Sequence, residues 1–161
     1  MNDTDRLVGW LNEAHAVEQG MLQVLEGHAI LATEFPEIRT GLEAHRAETL
    51  RHRDQIAACL RQLGREPSPV KTLVATATGV AQGLSTALAR DAVLRNVQAD
   101  YAAESAEIAA YTALIAVAEQ CALTDIAAIC QGILEDEVEM AVWLEKCIPE
   151  LAVQTLAGAT R

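Results

Sequence analysis

The chain has 161 residues, enough for one domain with one sizeable core; half are apolar and only 3% aromatic. A net charge of −11 argues against a nucleic-acid partner, because phosphate contacts need clustered Lys and Arg. No run approaches the roughly 20 apolar residues of a membrane span, and the N-terminus lacks a charged-then-apolar signal pattern, so the expected location is cytoplasmic, away from any membrane.

Alanine, leucine and glutamate are abundant, all strong helix formers, and no stretch alternates as a strand would. The expected class is all-α, in a single domain spanning 1–161. The first helix is predicted over about 4–31, capped by Asp3 or Thr4 and ended by the approach to Pro36. The second is predicted over about 36–63, with Pro36 in its first turn and Gly64 as its stop. Its basic residues Arg46, Arg51, Arg53 and Arg61 are mixed with acids and read as a solvated face. The stretch 65–89 is read as a connection, its Ala-, Thr- and Gly-rich part from Val70 to Ala89 carrying one short, weaker helix. The third long helix is predicted over about 90–119. The fourth, capped by Thr124 or Asp125, runs over about 124–148 and ends before Pro149, with a further helical turn between Leu151 and Leu156. Two hairpins with short loops and a long middle connection describe an antiparallel four-helix bundle with one crossover, the ferritin-like arrangement.

The acids fall in unexpected places. The apolar stripe of the first helix reads Leu7, Leu11, Ala14, then Glu18, then Met21, Leu22 and Leu25. On the second it passes through His45, Glu48 or Thr49, and His52; on the third through Tyr101, Glu104, Glu107 and Tyr111; on the fourth through Ile133, Glu137 and Met140. Taken alone, a glutamate on such a stripe is more often an edge residue reaching water. Four helices doing so at matched heights point instead to a shared buried site. Glu48 follows Glu18 by 30 residues and Glu137 follows Glu107 by 30, the register of a pseudo-twofold pair of hairpins. Unpaired buried carboxylates cost several kcal/mol each, and no Lys or Arg occupies the same faces at these heights. Divalent cations are the remedy, and hard oxygen ligands with imidazole suit iron or manganese better than zinc or calcium. The candidate metal ligands are Glu18, His45, Glu48, Glu104, Glu107 and Glu137, with His52 and His15 left open. His28, Trp10 and Trp143 read as ordinary helix and packing residues. Tyr101 and Tyr111 read as core, or as hydrogen-bond donors to a ligand carboxylate. Glu135, Asp136 and Glu139 read as a solvated acidic run, and Cys59, Cys121, Cys130 and Cys147 as free thiols.

The strings A-H-A-V-E-Q-G-M-L around Glu18, H-R-A-E-T-L-R-H around Glu48, E-S-A-E-I-A-A-Y around Glu107 and L-E-D-E-V-E around Glu137 resemble the YciE/YciF ferritin-like family, also called DUF892. The resemblance runs from about Leu11 to Leu144. It implies a bacterial, stress-associated, dimeric protein with a di-metal centre. Three positions depart from the family's usual residues: His52 stands for Gln, Ser105 for His and Ala141 for an acid. The Glu-x-x-His pairs of ferritins and rubrerythrins are absent, since Arg51 follows Glu48 and Met140 follows Glu137.

The expected function is therefore a di-metal carboxylate protein holding two Fe ions, or Mn in their place. It would oxidise Fe(II) with O2 or peroxide, acting as a ferroxidase-type oxidoreductase and a homodimer. Two alternatives stand beside it: a metal-free structural or interaction module, and a di-iron oxygenase with an organic substrate.

Overall fold

The structure, a computed structural model, describes residues 3–68 and 91–157. They form four helices: α1 Asp3–Leu31, α2 Pro36–Gln62, α3 Ala92–Gln120 and α4 Thr124–Ala157. The short helix expected within 70–89 lies outside the described residues. No described helix is long and apolar enough to cross a membrane.

Helix ends follow local chemistry. Pro36 opens α2, where a missing N–H costs nothing. At its other end Gly64 takes φ +70°. Gly64 N–H donates to Arg61 O and Arg65 N–H to Leu60 O, each at 2.9 Å, the paired bonds of a Schellman motif. The α3–α4 hairpin repeats this motif without glycine. Ala122, at φ 58°, donates to Glu119 O, and Leu123 donates to Ala118 O. Leu123 then packs against the core. The fourth helix does not stop before Pro149. It continues to Ala157 with the proline inside it. Pro149 forfeits one helical hydrogen bond, but Leu151, two residues on, is buried in the core and anchors the following turn.

Two apolar clusters give the helix directions. From N- to C-terminus, α1 passes from the first cluster (Leu7, Leu11) to the second (Leu25, Ala29). The second helix runs back, from Ile38 and Leu42 to Ile56 and Leu60, and α3 runs the same way, from Val97 to Leu114 and Ala118. The fourth helix returns, from Ile126 and Ile133 to Leu144 and Leu151. Thus α2 and α3 are parallel, and the chain between them joins opposite ends of the bundle. That is the ferritin-like topology. Seams also form between α1 and α3 and between α2 and α4. On the α2–α4 seam Gly41 lies under the indole of Trp143, where a Cβ would overlap the ring.

Candidate metal centre

The apolar core is not continuous. Between the two clusters lies a polar layer of Glu18 from α1, His45, Thr49 and His52 from α2, Glu104 and Glu107 from α3, and Glu137 from α4, all buried. Each sits in a gap of the apolar stripe of its helix: Glu18 between Ala14 and Met21, Glu137 between Ile133 and Met140. No Lys or Arg is buried among the described residues.

Two triads share one carboxylate. Ligand atoms of Glu18, His52 and Glu137 lie within 4.8 Å of one another, and so do those of His45, Glu104 and Glu137. His52 Nδ1 is 2.9 Å from Glu137 Oε1 and 3.9 Å from Glu18 Oε2. His45 Nε2 is 3.2 Å from Glu104 Oε1 and 3.4 Å from Glu137 Oε2. The Tyr111 hydroxyl, buried, donates to Glu18 Oε1 at 2.5 Å. Glu18 Oε2, both Glu104 oxygens, both Glu137 oxygens and His52 Nδ1 are buried without a hydrogen bond. His52 Nδ1 is close to Glu137, but off the hydrogen-bond direction. Five orphaned carboxylate oxygens and an orphaned imidazole nitrogen converging on one layer fit cations, since these are oxygen and nitrogen ligand types and none of the six makes a hydrogen bond there.

Without cations the layer must hold protons. Burial, and then the charge of Glu137, raise Glu18 from 4.5 to about 8. Burial raises Glu104 and Glu137 to about 7. Glu107 is pushed well above the carboxylate range by burial and then by the charges of Glu18, Glu137 and Glu104. Burial disfavours the imidazolium of His52, but contacts with Glu137, Glu18 and Asp136 outweigh it and raise the ring from 6.5 to about 9.

Of the residues singled out from the sequence, Glu18, His45, Glu104 and Glu137 converge in the triads. Glu107 is in the layer but in neither triad; it forms part of the wall of a groove between α1 and α3. Glu48 is at the rim, 37% exposed, with Oε2 3.2 Å from His45 Nδ1. Thr49 takes the inward place and donates to His45 O. His15 is half-buried outside both triads, and burial followed by the Arg53 charge lowers its pKa. His52, left open in the sequence, is a triad member. Two further carboxylates face histidines: Asp136, expected on a solvated acidic run but turned toward the layer, and Asp100, which the sequence reading did not name. Asp136 Oδ2 lies 2.9 Å from His52 Nε2, and buried Asp100 lies 2.8 Å from His28 Nδ1. Asp100 falls one turn before Glu104 on the same face, which is the signal that could have found it.

Residues 2–157 match the family described as a domain of unknown function, DUF892. The chain belongs to this family. Among solved structures, a Xanthomonas campestris protein is 28% identical with a TM-score of 0.84, the match covering 99% of this chain and 100% of that one. The E. coli stress protein YciF matches at 17% identity and TM-score 0.84, over 94% of this chain and 98% of its own. A dodecameric thioferritin, the bacterioferritin-related protein of Bacteroides fragilis, matches at 16% identity and TM-score 0.72, over 98% of this chain and 92% of its own. The last two likenesses establish the fold alone. This DUF892 chain is thus an all-α, ferritin-like bundle whose buried Glu and His groups could hold metal.

Proposed function

We propose that the protein is a ferritin-like di-metal carboxylate protein that binds two Fe ions, or Mn in their place, and oxidises Fe(II) with O2 or peroxide. The observation that carries this reading is the pair of triads joined at Glu137, lined by orphaned oxygens. Glu18, His52 and Glu137 would hold one ion and His45, Glu104 and Glu137 the other, with Glu107 beside them. A bound iron pair supplies Lewis-acid and one-electron redox chemistry. The chain's own residues do the rest. Tyr111 fixes the rotamer of Glu18 through its hydroxyl. The apolar clusters on either side exclude water. Protons that the carboxylates hold near neutrality leave as cations enter. With Fe(II) as substrate, each ion gives up one electron, and peroxide takes two such electrons and two protons to become water. A cytoplasmic homodimer is part of the same proposal.

Aerobic addition of Fe(II) to the apo-protein, with metal analysis and absorbance from about 300 to 650 nm, tests this. About two irons per chain and a rapid oxo-ferric band are expected. No binding and no band would favour a metal-free bundle whose carboxylates stay protonated.

One observation favours a second reading, an oxygenase with an organic substrate. Among the described residues, the α1–α3 seam opens a groove of about 460 Å³, apolar along Val17, Met21, Ala103 and Ala106 and reaching Glu107 and Tyr111. Hydroxylation of an added apolar substrate in the presence of a supplied two-electron reductant, with one O2 consumed per product and the second oxygen atom released as water, would decide for it.

A further inference from the structure

The two triad histidines sit differently. Both come from α2, seven residues apart, so they share a face one above the other. Their rings lie 6.5 Å apart and 69° from parallel. His52 points Nδ1 inward, to Glu137 and Glu18, and Nε2 outward, to Asp136 at 2.9 Å. His45 does the reverse. Its Nε2 faces Glu104 and Glu137, and its Nδ1 faces Glu48 at 3.2 Å. The two outer carboxylates are half-exposed, 37% for Glu48 and 40% for Asp136. Arg51 stands over both, its guanidinium 3.8 Å from Glu48 and 3.9 Å from Asp136. The outer carboxylates therefore meet water and a guanidinium, while the inner ones have only each other, the rings and the Tyr111 hydroxyl.

We propose that Glu48 and Asp136, spanned by Arg51, are positioning residues that lock the two histidines into opposite tautomers, so that His52 offers a metal its Nδ1 and His45 its Nε2. This rests on the di-metal reading above. A ligating ring must give up one proton, and the one retained is set by the acceptor facing it. For His52 that acceptor is Asp136, on Nε2; for His45 it is Glu48, on Nδ1. Glu48 thereby acts through His45 instead of touching a metal. The chain assigns one outer carboxylate to each ring, Glu48 from α2 itself and Asp136 from α4, beside the shared Glu137.

The test uses Zn(II), which is diamagnetic. Calorimetric titration gives stoichiometry and affinity, and ring 15N–1H correlation spectra of the intact chain, before and after Zn(II), give the coordinating nitrogen of each histidine that responds. Two rings of opposite type are expected, one coordinated through Nδ1 and one through Nε2. Asp136→Ala and Glu48→Ala should each weaken Zn(II) binding by about 10- to 100-fold. Asp136→Asn and Glu48→Gln keep an oxygen acceptor for the ring N–H, so they should recover most of that loss. Coordination of both rings through the same nitrogen would overturn the inference while leaving the di-metal reading intact. So would conservative variants as weak as the alanine ones, or loss of one bound ion in Glu48→Gln, which would make Glu48 a ligand. No Zn(II) uptake at the wild-type site would remove the di-metal reading and this inference with it.

Discussion

Glu137 is common to both triads, and its charge helps to raise Glu18, Glu107 and His52. Glu137→Gln keeps its shape and removes that charge. Metal uptake should drop, because the ligand proposed to be shared is gone, while the metal-free protein should become more stable near pH 8. Glu137 is raised to about 7 by burial, so ionising it in place costs a few kcal/mol. Relief of even 1 kcal/mol corresponds to about 2–4 °C in a chain of this size. Thermal melts of wild type and variant, with chelator and with Mn(II), check both signs; equal metal-induced shifts in the two proteins would remove Glu137 from the site. Tyr111→Phe acts in the opposite sense. It leaves Glu18 Oε1 without its donor inside the core, and a loss of about 1–3 kcal/mol in the metal-free protein is expected by urea denaturation. At this scale much of the candidate site could be read from the sequence. Glu18, Glu104, Glu107 and Glu137 break apolar stripes, and helical spacing alone turns them inward. Glu48 and Thr49 could not be separated, since both fall within the width of one stripe. Asp136 was hidden by its neighbours, because an acidic run looks solvated whether or not one member reaches back to a histidine 84 residues away.

Among the elements, the α3–α4 hairpin holds a local conflict. Its Schellman closure needs a left-handed residue, and the chain supplies Ala122 at φ 58° where α2 uses Gly64 at φ 70°. A Cβ in this region costs about 1 kcal/mol. Ala122→Gly should therefore stabilise the protein by about that amount, read as a higher urea midpoint at unchanged slope. Gly64→Ala should destabilise it comparably. No change in either variant would mean that the two turns relax when substituted. The conflict could not be seen from sequence, because it depends on a backbone angle that alanine does not advertise, whereas Gly64 after a long helix did mark its stop. The same contrast holds at Pro149. Proline marks a helix end only when nothing holds the next turn, and here Leu151 is 3% exposed in the second cluster. The bundle and its helix directions were legible because short loops force antiparallel neighbours and one long connection permits a parallel pair. The pairing of His28 with Asp100 depends on the α1–α3 seam, and nothing within either helix announces it.

For the molecule as a whole, the polar layer sets stability against the metal binding proposed for it. In the folded, metal-free chain Glu18 titrates at about 8 and Glu104 and Glu137 at about 7, against an ordinary value of 4.5. Across that window the folded state holds protons that the unfolded chain has released. A raised carboxylate pKa therefore leaves stability intact at low pH and removes it as pH climbs through the folded values. His52 adds to the trend. Its pKa of about 9 in the fold, against 6.5, means that stability is lost as pH rises through about 9. All four groups act with one sign, so the metal-free protein should melt at a higher temperature near pH 5 than near pH 8. Metal works the other way. Its ligands must be deprotonated, so affinity rises over the same range, and a ligand that binds only the folded state adds stability with its excess over Kd. The gap between metal-loaded and metal-free melting temperatures should accordingly widen from about pH 5 to about pH 8. Scanning calorimetry with chelator and with anaerobic Fe(II), at several pH values, measures both curves. A metal-free curve that is flat or rising would show that the carboxylates do not share the layer's protons as their burial requires. A falling metal-free curve with no metal-dependent gap would place the layer's charge balance in protons alone, and the protein among metal-free bundles.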